Sequence, residues 1–281
     1  MAFLDQAVTR LRTSGLKATL PYALGRFRLV RAIYSQQARL LRGHAELSAN
    51  REAIFPGIDV AVAIRSLRRD AVFRSISLPP SYVVELKQFA TTLPLKVVNG
   101  PSGFHYADVK EGCLADASIV PLAYVKDIDE IPLIKKIAED PVAMAVMGGY
   151  LGYAPRYQAR LYWSFVNEAS LMQRRQASQT IEYHYDVEGF NFAYMSFYLT
   201  DCDRLSGAHV MVIGSHVDKP LKWLFGSARV DDKIVESHYS SDRLLLLEGR
   251  AGYGFLQDSS CLHKALPPTS AERLMLQIRY L

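Results

Sequence analysis

Cysteine is scarce in this sequence and scattered along it. The three in 281 residues, Cys113, Cys202 and Cys261, are odd in number and nowhere closely spaced. That excludes a disulfide framework and a zinc knuckle, and a cytoplasmic protein is expected. No apolar run approaches the roughly 18 residues that cross a bilayer. The beginning of the chain shows no compact apolar segment followed by a small-residue cleavage site. Internal repeats and low-complexity tracts are also lacking. Net positive charge is missing from most of the chain. Residues 1–50 hold eight lysines and arginines against Asp5 and Glu46, a surplus of six, so with a total of +5 the remainder carries −1. Nucleic-acid binding needs basic and aromatic residues spread over one folded surface, and the body of the chain does not supply them.

Apolar residues at 49% and charged residues at 22% provide for one large globular core. Residues 1–50 read as a basic helical extension, with Leu20, Leu24, Phe27, Val30, Ile33 and Tyr34 near a 3.6-residue period. The expected arrangement packs that stripe on the body and keeps the arginines in water; contact with a membrane surface or a partner is the other possibility. Ile54-Phe55-Pro56-Gly57 marks a turn. Helices are expected over 60–69, from Pro79-Pro80 onward, and over 128–150 with a break at Asp140-Pro141, where Asp140 is a good N-cap. Between them, 71–76 reads as a strand. The stretch 95–119, with its Gly100-Pro101-Ser102-Gly103 turn, reads as a loop over a pocket, and 97–126 as a candidate loop for substrate specificity. Strands follow over 160–166, 180–187, 192–199, 209–213, 243–248, 254–257 and 273–280. Helices first and short antiparallel strands afterwards predict a mainly β fold with flanking helices, a double-stranded β-helix (jelly roll) over 51–281.

Within the expected strand 180–187 stand Tyr183-His184-Tyr185-Asp186. Two residues apart, His184 and Asp186 would point to one face of an extended strand. An imidazole and a carboxylate on one face can hold two corners of a metal site. A histidine from a distant strand would complete the 2-His-1-carboxylate triad that binds Fe(II) with positions left open.

The order of motifs resembles the phytanoyl-CoA dioxygenase family of Fe(II)/2-oxoglutarate-dependent oxygenases. Tyr150-Leu151-Gly152, His184-x-Asp186, Tyr198-Leu199-Thr200-Asp201, Ser206-Gly207, Gly214-Ser215-His216, Gly249-Arg250-Ala251-Gly252, Cys261-Leu262-His263 and Arg273 recur in that order. The resemblance covers about residues 55–281 and is strongest from 180 onward. It implies iron bound by His184, Asp186 and His263. It also implies 2-oxoglutarate as cosubstrate, anchored by Arg273 with help from Ser196 and Asn167, and O2 as oxidant. A planar guanidinium suits the far carboxylate of 2-oxoglutarate. Arg279 shares the strand face of Arg273 but stands about 20 Å further along it, too far for the same carboxylate. Ala265 stands where some relatives carry serine, and Tyr183 where tryptophan is frequent. Relatives that halogenate lack the carboxylate, so Asp186 implies hydroxylation of a small-molecule substrate, with release of succinate and CO2. A non-catalytic jelly roll that keeps a metal or senses 2-oxoglutarate, acting through its N-terminal helices, is the other reading. His216 is expected as a turn residue, and His209 and His238 as ordinary. Lys219, Lys222 and Arg229, in the variable loop 216–239, would suit an anionic substrate.

Overall fold

The computed structural model describes residues 15, 19–43, 52–187 and 189–281. The expected N-terminal extension, 1–50, therefore lies in part, at 1–14, 16–18 and 44–50, outside the described residues.

Eleven strands are formed among the described residues: β1 Val72–Ser77, β2 Leu95–Lys96, β3 Ser102–Phe104, β4 Leu122–Val125, β5 Tyr157–Ser164, β6 Ala193–Tyr198, β7 His209–Val212, β8 Leu244–Leu247, β9 Tyr253–Gln257, β10 His263–Ala265 and β11 Arg273–Tyr280. A large antiparallel sheet runs in the order β1-β9-β6-β11-β5-β4-β2-β3, and a small one in the order β10-β7-β8. Together they make the expected jelly roll.

β11 lies between β5 and β6 and pairs along its length with β5. Its alternation sorts the molecule into two sides. Leu274, Leu276, Ile278 and Tyr280 face the main hydrophobic core, together with Leu161 and Trp163 of β5, Phe165 just after it, and Met195 and Phe197 of β6. Arg273, Met275 and Gln277 face the space between the sheets. Register carries that inner face across the strands: Arg273 is opposite Ser164, Gln277 is opposite Arg160 on one side and Ser196 on the other.

Helices cover the outer face of the large sheet. Val60–Asp70 starts where Asp59 accepts the Val62 N–H and ends at Ala71 in the left-handed region. Pro80–Thr92 delivers its Ala90 carbonyl to the indole N–H of Trp163 at 3.0 Å. Pro132–Ala138 and Pro141–Leu151 are separated as expected at Asp140, whose carboxylate accepts from Val142 and Ala143 N–H, and Gly152 closes the second with φ +88°. Such capping satisfies backbone donors that have no partner inside the helix.

Three expectations are corrected. The stretch 180–187 is not a strand: among its residues only His184 makes β-type pairings, isolated bridges to His263 and Arg229. The loop expected over 97–126 contains β3 and β4, which extend the large sheet. The helix Arg28–Arg42 docks only in part on its apolar stripe. Phe27, Val30 and Tyr34 are half-buried against the body, Leu20, Leu24 and Ile33 are exposed, and Arg26, Arg31 and Arg42 also face the body. Arg26 donates to the carbonyls of Leu224 and Gly226, Arg31 pairs with Asp258, and Arg42 donates to the Leu281 carbonyl. The body offers these arginines carbonyls and a buried carboxylate, and a charge-assisted hydrogen bond there outweighs burial of a few methyl groups. Among the described residues no helix is long and apolar enough to cross a membrane.

Candidate metal centre and its cleft

Between the two sheets opens a cleft of about 1150 Å³. His184, Asp186 and His263 sit in its wall, each offering one ligand atom, all within 4.8 Å of one another. His184 Nε2 is 3.7 Å from Asp186 Oδ1, and His263 Nε2 is 3.8 Å from Asp186 Oδ2. The pairing that the sequence left open is made by the backbone: His184 N–H donates to the His263 carbonyl at 2.9 Å, and His263 N–H returns the bond at 2.8 Å.

The donor set fits a divalent metal in a further respect. Each imidazole has Nδ1 at a backbone carbonyl, His184 at Glu182 O (2.9 Å) and His263 at Cys261 O (3.0 Å). With the proton on Nδ1, both rings present the Nε2 lone pair toward Asp186. Metal-binding histidines are oriented in this way, the second nitrogen fixing tautomer and ring plane.

Arg273 lies in the same cleft, 3% exposed. Its guanidinium donates to the Gly207 carbonyl and to Ser164 Oγ (3.2 Å), and its Nε is buried without a hydrogen-bond partner. Gly207 takes φ +92°, and a side chain there would crowd the Leu266 carbonyl at 3.0 Å. Glycine is therefore what lets this turn present its carbonyl to Arg273. Among the described residues no carboxylate pairs with Arg273.

Ser196 Oγ is fully buried and unpaired. It points to the inner side, since its register partner Gln277 and its strand neighbour Tyr194 both line the cleft. Asn167 is not brought there. Its amide donates to the carbonyls of Val120 and Phe165 and accepts from Ala169 N–H, so the cosubstrate contact expected of it finds no support in its position. The local reason is that both amide N–H donors are taken by backbone carbonyls and Oδ1 holds the Ala169 N–H.

His209 is the residue that sequence reading undervalued. It lines the cleft, stacks on His263 at 5.2 Å between centroids and on Phe255 at 5.4 Å, and its Nε2 is buried without a partner. Burial first, then the neighbouring His263 and Arg273, push its pKa well below the usual imidazole value, so it is neutral. No spacing in the sequence points to it, because its place beside His263 comes from the pairing of β7 with β10. Gln277, which the sequence reading did not single out, also lines the cleft, four residues after Arg273 on the same face. His216 is a structural residue as expected, its Nε2 3.0 Å from the Arg68 carbonyl.

The outer cleft is polar and mixed in charge. Lys96, Arg160 and Arg229 share it with Asp127 and Asp129, and Tyr22, Tyr124 and Tyr194 add rings. Arg175 is paired with Glu182 at 2.6 Å. Of the three cations expected at the loop 216–239, only Arg229 lines the cleft. Lys219 is half-buried, its ammonium set over the Tyr185 ring and donating to the Ser215 and Ser260 carbonyls, and burial of that group lowers its pKa to about 8. It serves the fold rather than an anionic substrate.

No protein-family model matches the chain, and no curated protein matches it in sequence. In three dimensions its neighbours are Fe/2-oxoglutarate-dependent enzymes, and the chain has their jelly-roll fold. The similar solved structures include EctD from S. alaskensis with bound Fe (TM-score 0.56, 15% identity, 85% of this chain and 82% of that one). EvdO2 from Micromonospora carbonacea var. aurantiaca, complexed with 2-oxoglutarate, gives a TM-score of 0.54 at 13% identity, over 82% of this chain and 93% of that one. SnoN, a non-haem α-ketoglutarate-dependent epimerase from nogalamycin biosynthesis, gives 0.51 at 15% identity, over 79% and 82%. At these identities the likeness is one of fold.

Proposed function

We propose that the protein is an Fe(II)- and 2-oxoglutarate-dependent dioxygenase that hydroxylates a small molecule. The observation that carries this reading is the grouping of His184, Asp186 and His263 in the wall of a jelly-roll cleft that also holds a buried arginine without a carboxylate partner. Iron with 2-oxoglutarate and O2 would supply the oxidising chemistry, consuming the cosubstrate to succinate and CO2.

The chain's own residues have narrower tasks. His184, Asp186 and His263 would hold the metal, and the carbonyls of Glu182 and Cys261 keep both imidazoles in the ligating tautomer. Arg273, fixed by the Gly207 carbonyl and Ser164, would bind the far carboxylate of 2-oxoglutarate with its remaining N–H, and Ser196 would add a hydrogen bond from the neighbouring strand. Neutral His209, Tyr162 and Met275 exclude water around that carboxylate, which strengthens its attraction to Arg273.

The substrate follows from what is left of the cleft. Ligand pockets usually measure about 300–1,000 Å³, and this one, at about 1150 Å³, exceeds the needs of the cosubstrate alone. Its outer part, lined by tyrosines, Gln179, Gln277 and charges of both signs, suits a large polar molecule of several rings or a long chain. An epimerase shares this fold, so the outcome at the substrate carbon is decided by product analysis. Hydroxylation predicts that one oxygen atom is gained.

The test supplies the protein with ferrous iron, 2-oxoglutarate and O2 and measures succinate, with and without candidate substrates. Succinate production that disappears in His184→Ala is expected. Undiminished turnover after iron is chelated would sink the reading.

A further inference from the structure

Arg31 belongs to the N-terminal helix, and periodicity would leave it in water. Its guanidinium instead reaches the core of the jelly roll. Nη2 donates to Asp258 Oδ2 at 3.0 Å and to Asn191 Oδ1 at 2.9 Å; Nη1 approaches Asp258 Oδ1 at 3.4 Å and donates to Ser260 Oγ. The two side chains are 12% and 2% exposed. Tyr150, from the helix Pro141–Leu151, adds its hydroxyl to Asp258 Oδ2 at 2.5 Å. Burial alone would push the Asp258 carboxyl up, but Arg31 holds it well below the usual carboxylate range.

Asp258 opens the turn 258–262 between β9 and β10. Its Oδ1 accepts from Ser260 N–H at 2.8 Å and its carbonyl from Cys261 N–H at 3.0 Å, so the carboxylate sets the shape of the turn. That turn serves two of the three candidate ligands. Ser259 O accepts the backbone N–H of Asp186 at 2.8 Å, and Cys261 O takes the Nδ1 proton of His263. Lys219 holds the Ser260 carbonyl between them.

We propose that Arg31 is a positioning residue of the metal centre. Through Asp258 the N-terminal helix clamps the turn whose carbonyls orient Asp186 and His263. Arg31 touches neither the metal nor the cosubstrate, and the proposal rests on the metal-centre reading given above. A guanidinium fork fixes the carboxylate at two points. Without it the buried Asp258 charge would keep only neutral donors and draw the turn toward water.

The experiment measures Co(II) affinity and its visible absorption, as a stand-in for ferrous iron, on the full-length protein and four variants. His184→Ala is expected to abolish binding. Arg31→Met is expected to weaken it about 10–100-fold, the usual cost of losing a group that orients a ligand, and to change the absorption band. Arg31→Lys restores the charge without the fork and is expected to recover part of the affinity. Arg42→Met removes another docked arginine of the same helix, bound to the Leu281 carbonyl; it is expected to lower the melting temperature and leave Co(II) affinity unchanged.

Unchanged affinity in Arg31→Met, with His184→Ala inactive, overturns the clamp alone. An equal loss in Arg42→Met also overturns it, since the effect would then be a general loosening. Binding retained by His184→Ala removes the metal-centre reading and the clamp with it. Should Arg31→Met fail to fold, Arg31→Lys decides: several-fold weaker binding supports the clamp, and wild-type affinity overturns it.

Discussion

Two residues picked out by the same resemblance, Arg273 and Asn167, end in opposite situations. Arg273 is buried in the cleft with part of its hydrogen-bonding capacity unused, while Asn167 spends its amide on the backbone groups of Val120, Phe165 and Ala169. Arg273→Met is therefore expected to weaken 2-oxoglutarate binding by about 1.5–3 kcal/mol, about 10–150-fold. Asn167→Ala should leave that affinity alone and cost about 1–3 kcal/mol of stability, because three backbone groups lose their partner. Calorimetric titration and urea denaturation of both variants check the pair. An Asn167→Ala protein of ordinary stability with impaired cosubstrate binding would reverse the assignment. His184 and His263 show why residue type alone was insufficient. Their roles depend on a carbonyl at each Nδ1, and neither Glu182 O nor Cys261 O is marked by any side chain.

At the scale of elements, β11 divides the molecule. Its odd-numbered residues from Arg273 to Gln277 face the cleft and its even-numbered ones fill the core behind the sheet. Leu276→Ala is thus expected to cost about 2–5 kcal/mol in urea denaturation while Co(II) and 2-oxoglutarate affinities hold. Loss of cosubstrate binding ahead of stability would contradict that division. The turn 258–262 is the other decisive element. The Asp258 carboxyl has a lower pKa in the folded chain than in the unfolded one, so its contribution is present above the unfolded value of about 4 and fades as pH falls below it. Asp258→Asn should lose about 3–5 kcal/mol near pH 7, since Arg31 is then buried without its counter-charge. Its denaturation midpoint should also fall less steeply than the wild-type one between about pH 5 and 3. Parallel pH profiles for the two proteins would count against a buried ion pair.

For the whole molecule, the proposed metal centre joins separate parts of the fold. His184 and His263 exchange backbone hydrogen bonds across the gap between a loop and the small sheet, and Asp186 hangs from the turn after β9. A metal held by all three, as proposed, would tie those segments together and bind the folded state alone. Divalent metal at a hundredfold excess over its dissociation constant should add about 2.7 kcal/mol, seen as a higher melting temperature that a chelator removes. A melting curve indifferent to metal would argue against the site.

Several features follow from the sequence itself. Helix boundaries at Asp59, Asp140 and Gly152 are set by caps that act within a few residues, and strands such as 273–280 follow from alternation, which is equally local. The candidate ligand trio could be picked out because His-x-Asp and a later histidine recur in a fixed order of motifs. Long-range pairing decided the rest. Tertiary structure turned the expected strand 180–187 into a loop held at His184, placed neutral His209 against His263, withdrew Asn167 and Lys219 from the cleft, and drew Arg31 inward. Each of these outcomes depends on which carbonyl or carboxylate lies across a gap. Periodicity reports a residue's own polarity, and it carries no information about a partner brought from two hundred residues away.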